Sequence, residues 1–342
     1  MKPALAVADA LRARGATVSF IGTGRGAGDG LVRAAGLDED VLPMQGFRRS
    51  LSPANLRTVW MTLTAVPRAM GILRRRRADA VVGGGGYLAG PVALAGWMSR
   101  RPVVLTEADS HMGLANRLAA PFARRVAMAF PVAGRAEPKF QVTGRPVGPE
   151  VVSASREAGR RALGIGPDET CVLVAGGSQG ARSINTAVAT AYRDGPPFPL
   201  IHLAGERNLA DVRAILGGDP PRGYDLRGYL TGFHDAVAAA DLVVSRAGGS
   251  VFELAAIGRP AVLVPYPHAT ADHQTGNARW LVDADAAILL PDADCTAERI
   301  SAVIADLLAD PGRLVRMGEN ARAVARPDAA ERIADLVLEA VR

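Results

Sequence analysis

The sequence predicts an α/β protein built from two doubly wound domains, and three observations support this class. Short runs rich in valine, leucine and alanine alternate with amphipathic stretches of helical spacing. Several of these runs end directly in glycine-rich turns, as strands do where a helix follows. At 342 residues the chain is long enough for two domains with complete cores.

We assign residues 1–148 to the first domain. Residues 3–15 are expected to form an amphipathic helix, and residues 16–23 a strand. The turn at 22–27 resembles a GxGxxA dinucleotide loop, and an ordinary strand-to-helix loop fits it as well. Because such a domain should begin with a strand, we expect its first strand and glycine loop to be missing from this sequence.

An apolar stretch at residues 59–73, which includes Trp60, is followed by four consecutive arginines at 74–77. Apolar surface beside a basic cluster is typical of docking on anionic lipid. A core helix with a solvated basic end produces the same pattern, so both interpretations stay open. The net charge of +6 does not indicate nucleic-acid binding, because no stacking aromatics alternate with the arginines.

Four consecutive glycines at 83–86 separate a predicted strand from a predicted helix. Each glycine costs backbone entropy, so the run favours a close approach of the backbone to a phosphate. The next strand ends in two carboxylates, Glu107 and Asp109. Residues 149–168 are polar and punctuated by proline and glycine, which predicts an interdomain linker.

The second domain, residues 169–326, contains two further strand-turn-helix units. The first, VLVAGGSQGARSIN, places Ser178 in a glycine loop before a helix that starts near Ala181, which is an anion site by geometry. The second runs from LVVSR through Ala247–Ser250 into a helix that Gly258 closes. The strand between these units contains His202, which is interpreted as a core or rim histidine rather than a catalyst.

Polar side chains are expected to gather at one rim of this second sheet. They are Ser250, Glu253, His268, Asp272 and Gln274. A glycine turn at a helix start suits a diphosphate, a carboxylate one turn later suits a sugar diol, and amide and carboxylate groups suit sugar hydroxyls. Together they predict a nucleotide-sugar site.

Other classes of site find little support. Cys171 and Cys295 are isolated, which predicts a disulfide-free cytosolic protein without a metal site. The strings Asp283-Ala-Asp285 and Asp292-Ala-Asp294 are interpreted as turn acids rather than metal ligands. We find no signal peptide and no apolar run that would span a bilayer. No cofactor is expected.

Five blocks of sequence, in order along nearly the whole chain, resemble the MurG family of N-acetylglucosaminyltransferases. They are PALAVADALRARGATVSFIGT, GGGGYLAGP, TEADSHMGLANRLAAPFARRVAMAFP, VLVAGGSQGARSIN and SRAGG…FELAAIGRPAVLVPYPHATADHQTGNA. The resemblance implies a GT-B fold, two domains facing across a cleft, with the last helix (327–342) packed back on the first domain. It implies inverting transfer of GlcNAc from UDP-GlcNAc to lipid I (undecaprenyl-diphospho-MurNAc-pentapeptide), which gives lipid II for peptidoglycan.

The same resemblance implies a peripheral protein on the cytoplasmic side of the cell membrane. Its partners would be the anionic inner-membrane surface and cell-wall assembly proteins, besides the two substrates. In the family a glycine loop ending in a histidine, a leading candidate for the base, precedes the proline that matches Pro3, and here only Met1 and Lys2 do so.

Site residues carry over by position. The donor UDP-GlcNAc is expected to contact Ser178, Gln179, Gly180, Leu230, Gly248, Gly249, Ser250, Glu253, Gln274, Asp109 and Arg145, with Asn277 nearby. The acceptor is expected to contact Gly84, Gly85, Gly86, Tyr87 and Asn116. Asp109 stands where the family has asparagine, and Arg145 stands where the family has another asparagine. The candidates for the catalytic base in this chain are Asp109 and Glu107.

Three alternatives remain open at this stage. One is another GT-B nucleotide-sugar transferase that acts on a different lipid acceptor. The second is a catalytically impaired homologue that binds UDP-GlcNAc without transfer. The third is a dinucleotide-dependent oxidoreductase, which depends on the turn at 22–27 alone.

Overall fold

The computed structural model describes residues 1–24, 29–44, 54–177 and 179–342, and the chain divides into two structural units. Unit 1 comprises Met1–Gly148 and Arg326–Arg342, and unit 2 comprises Pro149–Ala325. Ser178 and residues 25–27 of the turn at 22–27 lie outside the described residues.

Unit 1 contains two parallel sheets. Its strands are β1 (Ser19–Gly22), β2 (Asp38–Val41), β3 (Val81–Gly83), β4 (Val103–Glu107), β5 (Arg125–Met128) and β6 (Phe140–Val142). Its helices are α1 (Lys2–Arg12), α2 (Asp29–Ala34), α3 (Ala54–Arg75), α4 (Gly86–Met98) and α5 (Leu114–Ala119), together with the C-terminal helix Ala329–Val341. One sheet has the order β3-β4-β5-β6, and β1 pairs with β2.

Helices cover both faces of the larger sheet in unit 1. Because successive strand residues point to opposite faces, Val103 and Leu105 of β4 enter the core formed with α3 and α4. Val104 between them enters a second core, formed with α1 and the C-terminal helix. This two-sided burial explains why the strands are continuously apolar rather than alternating.

Unit 2 is a single six-stranded parallel sheet with its helices. The strands are β7 (Val172–Ala175), β8 (Leu200–Leu203), β9 (Tyr224–Arg227), β10 (Leu242–Ser245), β11 (Ala261–Leu263) and β12 (Ala287–Leu289). The helices are α6 (Pro149–Val152), α7 (Arg156–Leu163), α8 (Arg182–Ala191), α9 (Leu209–Leu216), α10 (Phe233–Ala239), α11 (Ser250–Ile257), α12 (His273–Val282), α13 (Ala297–Leu308) and α14 (Pro311–Val324), and the C-terminal helix of unit 1 is α15.

The strand order in unit 2 is β12-β11-β10-β7-β8-β9, and every neighbouring pair is parallel. This is the doubly wound order of dinucleotide-binding folds, in which the chain reverses direction across the sheet between the first and fourth strands. The predicted α/β class with two doubly wound domains is confirmed.

The segment 149–168, which was expected to be an interdomain linker, instead contains α6 and α7. Ser155 caps α7 by accepting a hydrogen bond from the Ala158 amide, and Gly164 ends it in the left-handed conformation. A Cβ at Gly159 would lie 2.3 Å from the Asp235 carbonyl oxygen, so glycine is needed where α7 meets α10. The composition indicated a linker because the buried side of α7 consists of Gly159 and Arg160 rather than large apolar residues.

Candidate functional site

The site in unit 2 lies at the point where the strand order reverses. β7 and β10 are neighbours, with Ala175 opposite Ser245, and the chain leaves them toward opposite edges of the sheet. Ligands of open parallel sheets bind beyond the carboxyl ends of the strands at such a point. The two glycine turns predicted from sequence, residues 176–180 and 247–250, follow these two strand ends directly.

The turn after β7 is held in a conformation that requires glycine. Gly177 has φ +91° and Gly180 has φ +73°. A Cβ at Gly180 would lie 1.9 Å from the Ala204 carbonyl oxygen, whereas a Cβ at Gly177 would meet nothing within 4 Å. The N-cap of α8, Ala181, offers no side-chain cap. The first amides of α8 therefore keep the donor capacity of a helix N-terminus.

Asn208 fastens this turn to the loop that follows β8. Its side-chain amide donates to the carbonyl oxygen of Gln179 at 3.0 Å and to that of Ala204 at 2.9 Å. Gly205 completes the close approach, because a Cβ there would lie 2.8 Å from the Gln179 backbone. Sequence reasoning missed Asn208, which sits in an exposed-looking stretch without a motif; its only signal is its position just beyond a strand end.

A buried polar network lies beneath the same turn. Asn185 of α8 donates to the Ala204 carbonyl oxygen at 2.9 Å, so its own side-chain oxygen faces His202 Nε2 at 3.0 Å. The Nε2 atom of His202 therefore donates, and Nδ1 accepts from the Tyr224 hydroxyl at 2.6 Å. Burial lowers the pKa of His202 to about 4, and burial raises the pKa of Tyr224. His202 is thus a neutral core histidine.

The turn after β10 leads into α11 without a side-chain cap. Its N-cap is Gly249, and the first helical residue, Ser250, turns its hydroxyl back toward the Arg246 carbonyl oxygen at 3.3 Å. A Cβ at Gly248 would meet nothing within 4 Å, so the backbone there is open to a ligand. Glu253 is partly buried in the first turn of α11. A free helix start with a carboxylate one turn later matches the predicted arrangement.

The loop before α12 brings Gln274 to the same edge of the sheet. Gln274 Oε1 accepts from the Tyr266 amide at 2.9 Å, which orients its NH₂ group for donation elsewhere. Ala271 and Asp272 both have positive φ, 52° and 51°, a conformation that is unfavourable for residues with side chains. Strain of this kind is found where a loop is shaped for function.

Asn277 does not reach a sugar from its position in α12. It is 1% exposed and donates to the Ala247 carbonyl oxygen at 3.2 Å. Asn277, which was expected near the donor, is thus a buried residue whose side chain ties α12 to the turn after β10.

A hydrogen-bonded group around Arg246 connects the carboxyl ends of the strands and was not predicted from sequence. Arg246 donates to the carbonyl oxygens of residues 264 and 265, at 3.1 and 3.0 Å, and to Asp292 at 2.5 Å. Ser183 donates to the same Asp292 oxygen and accepts from Arg246 at 2.9 Å. Asp292, which was interpreted from sequence as a turn acid, is thus the counter-ion of Arg246. The sequence signal was an arginine at the end of an otherwise apolar strand.

Unit 1 carries its own glycine turn, after β3. Gly85 and Gly86 have φ +81° and +73°, and Gly85 is the N-cap of α4 without a side-chain cap. Gly84 and Gly86 are exposed, and Tyr87 is 46% exposed. The turn therefore presents backbone amides and one aromatic side chain to solvent, as an anion site would.

Glu107 is fully occupied beside this turn. Its Oε1 accepts from the amides of Ala108 and Asp109, and its Oε2 accepts from Gly113 and Asn116, at distances of 2.9 to 3.3 Å. A carboxylate has about four lone-pair sites, so none remains for the proton of an acceptor hydroxyl. The candidacy of Glu107 as the base is corrected on this geometry, since the residue orders the loop instead.

Asn116 is likewise beneath the surface. It is 3% exposed and donates to the Thr106 carbonyl oxygen at 3.0 Å as well as to Glu107. A Cβ at Gly85 would lie 3.8 Å from its amide nitrogen. Direct contact with a lipid-linked acceptor is therefore not what this side chain does in the structure, where it supports the glycine turn from below.

The remaining predicted residues lie near the ends of strands. Asp109 is partly exposed at the end of β4, and Leu230 is partly exposed beside Tyr229, which is 64% exposed. Arg145 follows β6, and burial together with its charge lowers the pKa of the Met1 amino group, so the two cations are close. In the part of the chain that the structure describes, no helix is long and apolar enough to cross a membrane.

Comparisons with known proteins agree over nearly the whole length. Residues 1–128 match the N-terminal domain of glycosyltransferase family 28, and residues 171–333 match its C-terminal domain. A protein of Halorhodospira halophila is 42% identical, covering 98% of this chain and 94% of its own. One from Halothermothrix orenii is 36% identical with the same coverage.

Both relatives are named UDP-N-acetylglucosamine–N-acetylmuramyl-(pentapeptide) pyrophosphoryl-undecaprenol N-acetylglucosamine transferase. Among solved structures, MurG of Acinetobacter baumannii aligns with a TM-score of 0.78 at 29% identity, covering 98% of this chain and 95% of that one.

Proposed function

The chain belongs to glycosyltransferase family 28, and we propose that it transfers N-acetylglucosamine from UDP-N-acetylglucosamine to undecaprenyl-diphospho-N-acetylmuramyl-pentapeptide. This reaction converts lipid I into lipid II in peptidoglycan synthesis. The observation that carries the proposal is the pairing of two uncapped helix starts, α8 and α11, at the switch point of unit 2. The resemblance to the MurG family and the GT-B class are confirmed by the same comparisons.

The donor diphosphate is assigned to the two helix starts. Backbone amides of the turns after β7 and β10, with the positive ends of α8 and α11, stabilise the negative charge that develops on departing UDP. Glu253 accepts from the ribose hydroxyls, and the NH₂ group of Gln274 donates to a GlcNAc hydroxyl. We assign Asn208 and the Arg246–Asp292 pair to holding these turns in place.

The transfer itself is a direct displacement. The 4-hydroxyl oxygen of the muramyl sugar forms a bond to C1 of GlcNAc, the bond from C1 to the diphosphate oxygen breaks, and UDP leaves with that electron pair. A base must take the hydroxyl proton. With Glu107 occupied, Asp109 is the remaining candidate among the two carboxylates that the sequence indicated. Gly84–Gly86 and Tyr87 are assigned to the acceptor's diphosphate.

A transfer assay tests this function. The full chain is incubated with radiolabelled UDP-GlcNAc and a soluble lipid I analogue, and the disaccharide product is quantified. The variant Glu253→Gln should raise the KM for UDP-GlcNAc, whereas Glu298→Gln, an exposed residue of α13, should not. Binding of UDP-GlcNAc without transfer would instead support an impaired homologue, and transfer only to another lipid would identify a different acceptor.

We also propose that one face of α3 docks on an anionic membrane surface. Trp60, Pro67 and Arg74 are spaced by two helical turns, and Trp60 is 67% exposed. The basic cluster is smaller than the sequence indicated, because Arg75 and Arg76 pair with Asp40 at 2.6 and 2.7 Å. Burial alone would raise the pKa of Asp40, but the hydrogen bonds from Arg76 and Arg75 lower it.

The cations left for lipid are therefore Arg68, Arg74 and Arg77, whose side chains pair with no residue that the structure describes. Co-sedimentation with vesicles tests this surface. Trp60→Ala and the double variant Arg68→Gln/Arg74→Gln should each reduce binding to phosphatidylglycerol vesicles by about fivefold or more. Arg207→Gln/Arg299→Gln removes the same charge from unit 2 and should bind as the parent does; equal loss in both double variants would refute a local docking face.

A further inference from the structure

A group of four arginines surrounds one carboxylate at the amino edge of the sheet in unit 2. Asp241 directly precedes β10, Arg259 lies two residues before β11, and Arg156 and Arg160 belong to α7. The fourth, Arg322, is on α14. We call these five residues the arginine cluster. Because parallel strands all start at this edge, the cluster is at the opposite end of the sheet from the turns that follow β7 and β10.

Asp241 is already used within the cluster. It accepts from Arg156 at 2.5 Å, from Arg160 at 2.7 Å and from the Cys171 amide at 2.8 Å. Arg160 is 3% exposed and also donates to the carbonyl oxygens of Ala239, Gly166 and Pro167. The carboxylate is therefore shared by Arg156 and Arg160, and the cluster contains no second carboxylate for Arg259 and Arg322.

Arg259 is the exceptional member. Its side chain makes no hydrogen bond or ion pair with any residue that the structure describes, and its Nε atom is buried without a partner. Burial first, and then the charge of Arg156, lowers its pKa to about 10, so the guanidinium is still protonated at neutral pH. A buried donor without a partner destabilises the folded state, and a buried charge without a counter-ion does so more strongly. Such a group in a native protein needs an explanation, and a bound anion that accepts from the guanidinium supplies one.

The neighbours of Arg259 also have donors to spare. Arg322 is exposed and donates one N–H to the Ile257 carbonyl oxygen at 3.0 Å. Its guanidinium lies against Gly258, where a Cβ would be 2.5 Å from Cζ, so only glycine admits it there. Arg156 donates to the carbonyl oxygens of Ala239 and Ala240 as well as to Asp241, and 37% of its side chain is still exposed. Each guanidinium has five N–H donors, and most of those on Arg259 and Arg322 remain unused.

We propose that Arg259, Arg322 and Arg156 form a binding site for a phosphate-bearing anion, separate from the nucleotide-sugar site. A phosphate group would supply acceptors to Arg259, balance the excess of positive charge and match the fork geometry of two guanidinium groups. The shared chemistry is a phosphate group, whether it is free inorganic phosphate or the headgroup of an anionic lipid. The site goes beyond the proposed transferase activity and does not depend on it.

Equilibrium dialysis of the full chain with radiolabelled inorganic phosphate, at constant ionic strength, tests the proposal. We expect one site that Arg259→Met and Arg322→Gln each weaken at least tenfold, while Arg299→Gln, an exposed arginine on α13, leaves it unchanged. Phosphate bound at the helix starts of the other site would persist in all variants. Equal binding in the parent and in Arg259→Met would overturn the proposal.

A thermal readout separates this role from a merely structural one. Without phosphate, Arg259→Met should unfold at the same temperature as the parent or higher, because the substitution removes a partly buried cation that has no partner among the described residues. With phosphate, the parent should gain more stability by mass action than Arg259→Met does, because the variant keeps only the phosphate bound at the helix starts. A variant that is less stable in phosphate-free buffer yet responds to phosphate as the parent does would make Arg259 structural. Co-sedimentation with phosphatidylglycerol vesicles, compared with phosphatidylcholine vesicles, identifies the source of the phosphate group. Binding to phosphatidylglycerol that depends on Arg259 indicates a lipid headgroup. If the protein binds inorganic phosphate but shows no Arg259-dependent vesicle binding, the ligand is a soluble anion.

Discussion

His202 should make unit 2 lose stability as the pH falls from 7 to 5. The residue is 0% exposed, and both ring nitrogens are engaged in the neutral form, Nε2–H to Asn185 and Nδ1 from Tyr224. Burial lowers its pKa from 6.5 to about 4. Between these pH values His202 is protonated in the unfolded chain and neutral in the folded protein. Its contribution to the free energy of unfolding is therefore complete above pH 6.5 and falls as the pH is lowered toward 4.

The magnitude follows from the two pKa values of His202. Each pH unit between them corresponds to about 1.4 kcal/mol, and the full difference to about 3 kcal/mol. Because the unfolded state only begins to titrate near pH 7, the loss between pH 7 and pH 5 is about 2 kcal/mol. Full burial of the ring means that solvent does not screen this contribution.

Urea unfolding followed by circular dichroism at pH 7 and pH 5 measures the loss. The parent is compared with His202→Gln, which removes the titrating group, and with His111→Gln, which removes an exposed histidine. The His202 variant should lose about 2 kcal/mol less than the parent on going to pH 5, whatever its absolute stability. The His111 variant should follow the parent. If all three proteins lose the same amount, the neutral buried histidine is not the source of the pH dependence.

Three further predictions concern the candidate site. Gly180→Ala should destabilise unit 2 by about 3 kcal/mol or more, because its methyl group would lie 1.9 Å from a carbonyl oxygen. Gly177→Ala should cost only about 1 kcal/mol of positive-φ strain, because a Cβ there would have no atom within 4 Å. Equal losses of stability in urea unfolding of the two variants would contradict this geometry. Asn208→Ala should raise the KM for UDP-GlcNAc about tenfold, because it removes two hydrogen bonds that hold the turn, and its Tm should change little. The control variant Arg207→Ala, at the exposed neighbouring residue, should have the KM of the parent. Asp109→Asn should lower kcat about 100-fold or more at an unchanged KM for the donor; an unaltered kcat in the transfer assay would exclude Asp109 as the base.

Features that depend on neighbouring residues in the chain were predictable. The glycine turns after β3, β7 and β10 are visible in sequence because positive φ and close backbone approach demand glycine at fixed places. The apolar runs identified the strands, and the parallel class followed from their alternation with helices. The segment 149–168 was misread because glycine and arginine form its buried side, so the apolar pattern of a packed helix is missing.

The chemical state of the polar residues was not predictable from their order in the chain. The sequence alone determined that two doubly wound domains form and where their glycine turns lie, since strand pattern and glycine geometry are local properties. Only the tertiary structure showed that Glu107 accepts hydrogen bonds from the loop after β4 and from Asn116 of α5, and that Asp292 is the counter-ion of Arg246. It also left Arg259 without a partner among the described residues. Hydrogen bonds and charge balance are set by groups far apart in sequence, so their outcome exists only once the chain has folded.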